Sequence, residues 1–280
     1  MSDSHELLKP LLDELHKSGR LRVWSIVISI FGDLVQPRGG RISMQELLAL
    51  TENVGIEGNA LRTAMSRLAK EEWVDRYKEG RNSFYTLSGN GKQTFLAASE
   101  RIYQARFNSG SSEWVMAFYP EDLPQQTVDV ASRLSFNKRI AVCSIEDKAR
   151  LENGQALILD ARVGDIPAWA REELIPQNLT EQYGILLKHL QTIDSRSDEI
   201  VSLPPLSAIT LRYLLIHFWR RLVLKHPLLP DGLVTKDWEG ISVHKLMCKL
   251  YPLTISASEA WWETPTSESG KQLLEKRFKD

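Results

Sequence analysis

Hydrophobic residues recur at helical spacing near the start of the chain and predict three helices. One side of the first helix, which ends before "SGR", is formed by Leu7, Leu8, Leu11, Leu12 and Leu15. The run "LRVWSIVISIFGDLV" predicts a second helix. After the loop "QPRGGR", the stretch "SMQE" places Ser43 and Glu46 at the spacing of a capping box, so a third helix begins there and continues through Leu50.

A fourth predicted helix, in the stretch "NALRTAMSRL", separates its apolar and polar residues sharply. At about 100° per residue, one face carries Leu61, Ala64, Met65 and Leu68. The opposite arc of about 140° carries only basic or uncharged polar residues, namely Asn59, Arg62, Thr63, Ser66, Arg67 and Lys70. Because a solvated helix face usually mixes both charge signs, this acid-free face indicates an anionic partner.

Two predicted strands follow the fourth helix. The strands, "WVDRYKE" and "SFYTLS", are joined by a short turn that contains Gly80, Arg81 and Asn82. Two helices joined by a glycine-containing turn and followed by a hairpin predict a winged helix-turn-helix over residues 1–90. In such a domain one helix lies in the major groove, and we expect Arg81 to contact the DNA backbone. A Gly-Arg-Asn turn can also serve only to connect two strands.

The rest of the chain changes from a mixed pattern to a helical one. Residues 91–112 predict a linker helix that ends in the flexible composition "NSGSS". Residues 113–165 alternate strands and helices and predict a ferredoxin-like (Cas2-like) α+β domain. Residues 166–280 are helical almost throughout and predict a helical C-terminal domain, to which the family resemblance given below assigns effector binding and dimerisation. The predicted fold class is therefore α+β with several domains.

Composition and charge exclude several classes of protein. The 35 basic and 36 acidic residues give a net charge of −1, so only their local distribution can indicate nucleic acid. Cys143 and Cys248 lie far apart and support neither a disulfide framework nor a cysteine zinc site. The start of the chain is polar and acidic, and no apolar run reaches the length of a membrane span. We expect a cytoplasmic protein that needs no membrane, cofactor or metal.

A second basic segment lies in the helical C-terminal part. Residues 201–230 contain no acid but several basic residues, namely Arg212, Arg220, Arg221 and Lys225. On a helix, one side carries Tyr213, His217, Arg220 and Arg221. The other side carries Leu211, Leu215, Phe218 and Leu222. We interpret the apolar side as packed and the basic side as a binding face, although these arginines could equally cap carbonyls or pair with distant acids.

Two stretches of the chain resemble the signatures of the PaaX family of bacterial transcriptional repressors. "NALRTAMSRLAKEEWV" followed by "GRNSFYTLS" is similar to the winged-helix signature of that family, and "LLIHFWRRLVLKHPLLPDGLVTKDWEG" is similar to its C-terminal signature. The resemblance covers nearly the whole chain. It implies a homodimeric repressor of an aromatic-acid catabolic operon that binds duplex operator DNA and is released by an aryl-acyl-CoA thioester such as phenylacetyl-CoA. The effector would then meet the basic face of Tyr213, His217, Arg220 and Arg221.

Other functions stay open at this stage. The middle domain resembles Cas2-like nucleases, in which an acid near the end of the first strand binds a divalent metal, and Asp122 is the candidate. The basic helix could instead hold another protein in a non-catalytic interaction module. Its basic residues could also form a solvated surface paired with Glu71 and Glu72. Steep weakening of binding with salt would distinguish DNA binding from these alternatives.

Overall fold

The chain folds as an α+β protein that is mostly helical and has two small antiparallel sheets. The computed structural model describes residues 2–17, 22–104, 113–120, 134–135, 139–145, 148, 156–162, 164–175, 177–225 and 237–279. Its helices are α1 (Ser2–Lys17), α2 (Val23–Ile30), α3 (Met44–Glu52), α4 (Gly58–Lys70), α5 (Gly89–Ile102), α6 (Ala168–Leu174), α7 (Gln177–Asp194), α8 (Pro205–Val223), α9 (Glu239–Glu259) and α10 (Glu268–Lys276). Its strands are β1 (Arg41–Ser43), β2 (Val74–Glu79), β3 (Asn82–Leu87), β4 (Glu113–Phe118), β5 (Leu134–Ser135), β6 (Ile140–Ser144) and β7 (Leu157–Arg162).

Helix α2 does not end at a cap but continues into a wider turn. A π-helical turn, Phe31–Val35, and a 3-10 turn, Gln36–Arg38, follow it directly. The chain then leaves the helical conformation at Gly39, whose φ of 84° favours glycine. All five residues of the π turn are buried, including the acid Asp33. Such π turns often lie at functional sites in proteins.

The first sheet combines β1 with the hairpin in the order β1-β3-β2. Helix α3 begins at the predicted capping box, which is confirmed: Glu46 N donates to Ser43 Oγ at 3.1 Å, and Ser43 N donates to Glu46 Oε2 at 2.7 Å. The element order from α2 to β3 is helix, strand, helix, helix, strand, strand, which contains the predicted helices and hairpin together with the additional strand β1. The sequence does not predict β1, because three residues are too few to show alternation. Residues 41–43 form a strand because they pair with β3.

The second sheet is antiparallel and has the order β5-β6-β4-β7. Numbered along the chain, its four strands are ordered 2-3-1-4, and the ferredoxin-like fold of residues 113–165 stays a prediction. Its small core contains Val115, Ala117, Tyr119 and Ala141. The helices that the sequence predicts within residues 113–165 fall almost wholly outside the described residues, and Asp122 also lies outside them.

The chain divides into two compact units that do not follow the linear order of the predicted domains. Unit 1 contains Met1–Ala105, Lys188–Arg220 and Leu246–Asp280, and unit 2 contains Arg106–Leu187 and Arg221–Lys245. Residues 166–280, predicted as one C-terminal domain, therefore contribute to both units. The physical reason lies in the packing of α8, since Trp219 Nε1 donates to the carbonyl oxygen of Ile102 at 2.7 Å within unit 1. No helix among the described residues is long and apolar enough to cross a membrane.

Candidate nucleic-acid interface

Helix α4 presents the polar face that the sequence predicts. All six residues of that face are exposed, namely Asn59, Arg62, Thr63, Ser66, Arg67 and Lys70. The opposite face is buried, because Leu61, Ala64, Met65 and Leu68 pack inward. The helix has no acid between Gly58 and Lys70, so the exposed surface offers hydrogen-bond donors and positive charge without an interruption.

The turn before α4 fixes the position of the helix. Gly55 has a φ of 75°, which L residues with a side chain rarely adopt, and it lets the chain reverse after α3. Val54 and Ile56, on either side of it, are buried. The turn is therefore anchored by apolar contacts, and the exposed face of α4 is held by a rigid frame rather than by its own polar residues.

Contacts within the exposed face of α4 are few and solvated. Arg67 Nε donates to Glu71 Oε1 at 2.7 Å, but the two side chains are 63% and 45% exposed. Arg62 Nη1 lies 3.4 Å from Asn59 Oδ1. The pairing of Arg67 with Glu71 agrees with the alternative of a solvated surface. An ion pair of this exposure contributes only about 0–1 kcal/mol, so both arginines can exchange these contacts for a ligand.

The hairpin beside α4 carries further basic residues. Gly80, with a φ of 59°, and Arg81 form its two-residue turn, where glycine at the first position suits a type II′ turn. Arg81 is exposed, as predicted. Arg41 of β1 stacks on Phe84 with its guanidinium carbon 3.8 Å from the ring centroid. Arg76 donates to Ser83 Oγ at 3.0 Å. Sequence reasoning missed both arginines, and Arg76 is exposed although strand alternation would place it on the same face as the buried Val74.

The predicted effector face on α8 is not an open face in the structure. Tyr213 is fully buried and donates to the carbonyl oxygen of Leu50 at 2.9 Å, and burial raises the pKa of its phenol. His217 is 2% exposed, and its Nδ1 lies 3.1 Å from Ser29 Oγ. Arg220 donates to Ser29 Oγ at 2.6 Å, while Arg221 belongs to unit 2.

On the side of α8 interpreted as a binding face, Tyr213 and His217 are buried, whereas Arg220 and Arg221 are partly exposed. Periodicity distinguishes polar from apolar positions, but it does not show whether a polar position meets solvent or a hydrogen-bonding partner. The role of Tyr213, His217, Arg220 and Arg221 in effector binding stays a prediction. A ligand could contact Tyr213 or His217 only after a change in the packing of α8.

A buried ionic network, missed by sequence reasoning, surrounds Asp33 in the π turn. Its Oδ1 accepts hydrogen bonds at 2.8 Å from Tyr103, Tyr251 and Arg277, and its Oδ2 accepts from Arg212 Nε at 2.8 Å. All of these groups lie in unit 1. Burial raises the pKa of both phenols, although the nearby positive charges oppose this shift. The signal in the sequence was a single acid inside the apolar run "SIFGDLV".

The network continues from Arg212 toward the end of α9. Arg212 Nη1 donates to Ser258 Oγ at 3.1 Å and to Glu259 Oε1 at 2.8 Å. The other oxygen of Glu259 contacts Arg38 and Thr266. Removing one partner from a buried, satisfied ion pair costs about 3–5 kcal/mol, so these groups hold the three chain segments of unit 1 together.

Metal chemistry finds no support in the part of the chain that the structure describes. No group of three or more His, Cys, Asp or Glu side chains there could hold a metal ion. His244 and Cys248, one turn apart on α9, belong to no such group. Asp122, the candidate for a nuclease site, lies outside the described residues.

Fold and surface together define a class of protein, an α+β chain in which a helix with an acid-free polar face lies beside a β-hairpin, as in helix-turn-helix proteins. Comparison with known families gives the particular group. Residues 22–91 match the model of the PaaX-like proteins, and residues 176–264 match that of the PaaX-like protein C-terminal domain. The chain belongs to the PaaX-like family, as the resemblance predicts. The transcriptional repressor PaaX of Escherichia coli K12 is 32% identical over 272 residues, covering 88% of this chain and 84% of that protein.

Proposed function

We propose that this protein is a DNA-binding transcriptional repressor with an N-terminal winged helix-turn-helix. In this proposal α4 lies in the major groove and the β2–β3 hairpin is the wing. The observation that carries it is the exposed, acid-free face of α4, which belongs to the segment matched by the PaaX-like family model. The name of the E. coli relative, a transcriptional repressor, supports the same role.

The exposed side chains suit distinct contacts on duplex DNA. A guanidinium can donate in parallel to O6 and N7 of guanine, and an amide can pair with adenine, so Arg62, Arg67 and Asn59 are the proposed base-reading residues. Thr63 and Ser66 can donate to bases or phosphates. Lys70 and Arg81 would contact phosphate, because a flexible ammonium and a hairpin tip suit the backbone better than a base edge.

The remaining parts of the proposal concern assembly and control. The protein would bind as a homodimer in the cytoplasm, with two half-sites about one helical turn, or 34–36 Å, apart. An aryl-acyl-CoA, such as phenylacetyl-CoA, would release it from the operator of an aromatic-acid catabolic operon. Such release requires that the effector bind more tightly to the form in which the reading helices do not fit the DNA. The ferredoxin-like middle domain is proposed as a non-catalytic part of this assembly.

The test is the affinity for DNA of the full-length protein and two matched variants. Binding sites are selected from random duplexes, and affinity is measured across a salt series. Arg62→Ala should lose about 1–3 kcal/mol of binding energy and relax the base preference. Arg162→Ala, which removes an exposed arginine on β7, should bind as the unchanged protein does. No selected site, or a binding affinity that does not fall steeply with salt, would overturn the proposal.

A further inference from the structure

The β2–β3 hairpin has two faces that differ in burial. Directly paired residues of antiparallel strands lie on the same side of a sheet, so the register assigns each residue to one face. The face that we call the inner face consists of Val74, Arg76, Lys78, Ser83, Tyr85 and Leu87. The outer face consists of Asp75, Tyr77, Glu79, Asn82, Phe84 and Thr86. Among the residues of the two strands, all of which the structure describes, the buried ones belong to the inner face. This face is therefore the side of the sheet that packs against the helices, and α4 contacts β2.

The charged residues of β2 are divided between these two faces by sign. Both basic residues, Arg76 and Lys78, belong to the inner face, whereas both acids, Asp75 and Glu79, belong to the outer face. Two further acids precede β2 and lie at the end of the hairpin away from its turn, namely Glu71 and Glu72. The inner face therefore resembles the polar face of α4, because it offers positive charge without an acid.

The two cations of the inner face are exposed because the hairpin extends beyond the core. Tyr85, which pairs with Arg76, is the last buried residue of the hairpin in the direction of its turn. Arg76 Nη2 donates to Ser83 Oγ at 3.0 Å, and this neutral acceptor leaves the charge of the guanidinium uncompensated. Neither Arg76 nor Lys78 forms an ion pair within the described part of the chain. Both charges are therefore available to an anion on the side of the sheet where α4 packs.

Arg41 of β1 shows how the other side of the same sheet differs. It lies on the outer side, since it pairs with Thr86. Its guanidinium stacks on Phe84, and it forms an ion pair with Glu79. The positive charge of Arg41 is thus compensated, unlike the two charges of the inner face.

We propose that the inner face of the hairpin binds the phosphate backbone of duplex DNA through Arg76 and Lys78. The inference rests on the proposed function, because α4 must occupy the adjacent major groove for the inner face to meet the backbone. Alternate residues of a strand are about 7 Å apart, so each cation meets a phosphate of its own. Contacts of this kind position the protein on the duplex without reading its sequence.

The acids of the outer face give the hairpin one orientation on the DNA. Turning the outer face toward the duplex would bring Asp75 and Glu79 against the phosphates, and contacts between like charges are unfavourable. The division of charge therefore favours an approach in which the hairpin meets the backbone from the side of α4. A hairpin that contacted DNA only through Arg81 at its turn would not require this division along β2.

The test measures the affinity of the full-length protein for a selected duplex and for an unrelated duplex of the same length across a salt series. Arg76→Ala/Lys78→Ala should reduce the magnitude of the slope of log affinity against log salt by about 1.8, because each lost phosphate contact contributes about 0.9. It should weaken binding to both duplexes by the same factor, at least about tenfold at about 0.1 M salt. Arg76→Lys keeps the charge and should keep the slope.

A second variant guards against loss of binding through unfolding, which the melting temperature of each variant reveals. Lys78→Gln leaves the hydrogen bond of Arg76 to Ser83 in place and should reduce the slope by about 0.9 on its own. The matched control, Arg41→Ala, removes an exposed arginine from the outer side of the same sheet and should leave the slope unchanged.

The outcomes separate this inference from the proposed function. A double variant and a Lys78→Gln variant with the slope of the unchanged protein overturn the inference, and so does an equal fall in slope in Arg41→Ala. A change in the preferred base sequence also overturns it, since this would assign the two residues to base edges. Failure of the unchanged protein to select any duplex would instead count against the proposed function.

Discussion

At the scale of single residues, the charged side chains divide into two populations with different energetics. Those on α4 and the hairpin are exposed, and their pairs contribute little to stability, so they are available to a partner. Those around Asp33 are buried and ion-paired with one another. The first population can serve recognition, whereas the second can only serve the fold or transmit a change within it.

The ion pair of Arg67 and Glu71 yields a prediction at this scale. Glu71→Gln should strengthen DNA binding, because it frees Arg67 and removes an acid next to the proposed interface, whereas Arg67→Ala should weaken binding by about 1–3 kcal/mol. Affinity for the selected duplex at fixed salt is the measurement. Glu199→Gln, which breaks a comparable exposed pair with Arg196, is the control and should have no effect. An unchanged affinity after Glu71→Gln would remove Arg67 from the interface.

The sequence predicts the exposed polar face of α4, because amphipathic periodicity is a local property of a helix. It does not predict that Tyr213 and His217 are buried. Both occupy a polar stripe on α8, and a polar stripe can meet either solvent or buried hydrogen-bonding partners. The difference depends on α2 and α3, which lie far away in the chain and approach α8 only in the folded state.

At the scale of elements, the packing of α10 against the 3-10 turn is a contact that the sequence does not predict. The sequence contains only a glycine at position 270, whereas the structure shows that this glycine permits a close approach to Pro37. The capping box at Ser43 is the opposite case. Its two hydrogen bonds join residues three positions apart, so four letters of sequence suffice to predict it.

Two glycine substitutions test the packing of α10. Gly270→Ala should lower the free energy of unfolding of unit 1 by about 1–3 kcal/mol, because its Cβ would overlap the carbonyl oxygen of Pro37 and push α10 outward. Gly89→Ala is the matched control, since open space surrounds the added Cβ at the start of α5. It should change stability by less than about 0.5 kcal/mol. Urea unfolding of both variants is the measurement, and equal stabilities would contradict the close contact.

At the scale of the whole molecule, unit 1 is assembled from three separate stretches of the chain. Tyr103, Tyr213 and Tyr251 come from different stretches; Tyr213 and Tyr251 are buried in this unit, and Tyr103 is partly buried. Burial raises the pKa of each phenol, so the folded state keeps these protons at pH values where the unfolded chain loses them.

The pH dependence of stability follows from these three groups. A raised pKa means that the stability they support is fully present below about pH 10, the ordinary pKa of tyrosine, and is lost as the pH rises above it. We therefore expect the free energy of unfolding of unit 1, measured with urea between pH 8 and 11, to fall steeply near the upper end. Tyr213→Phe should make this fall shallower. An equally steep fall in the variant would show that Tyr213 does not take part.

The sequence by itself determined the amphipathic helices, the capping box and the exposed basic face of α4, because each depends on residues within one or two turns of one another. It also determined the family, since two signatures occur in the right order. Only the tertiary structure decided that Tyr213 and His217 of α8 are buried and that Asp33 meets Arg212 and Arg277. These partners are 179 and 244 positions apart, and ionic contacts at such separations leave no periodic pattern in the chain.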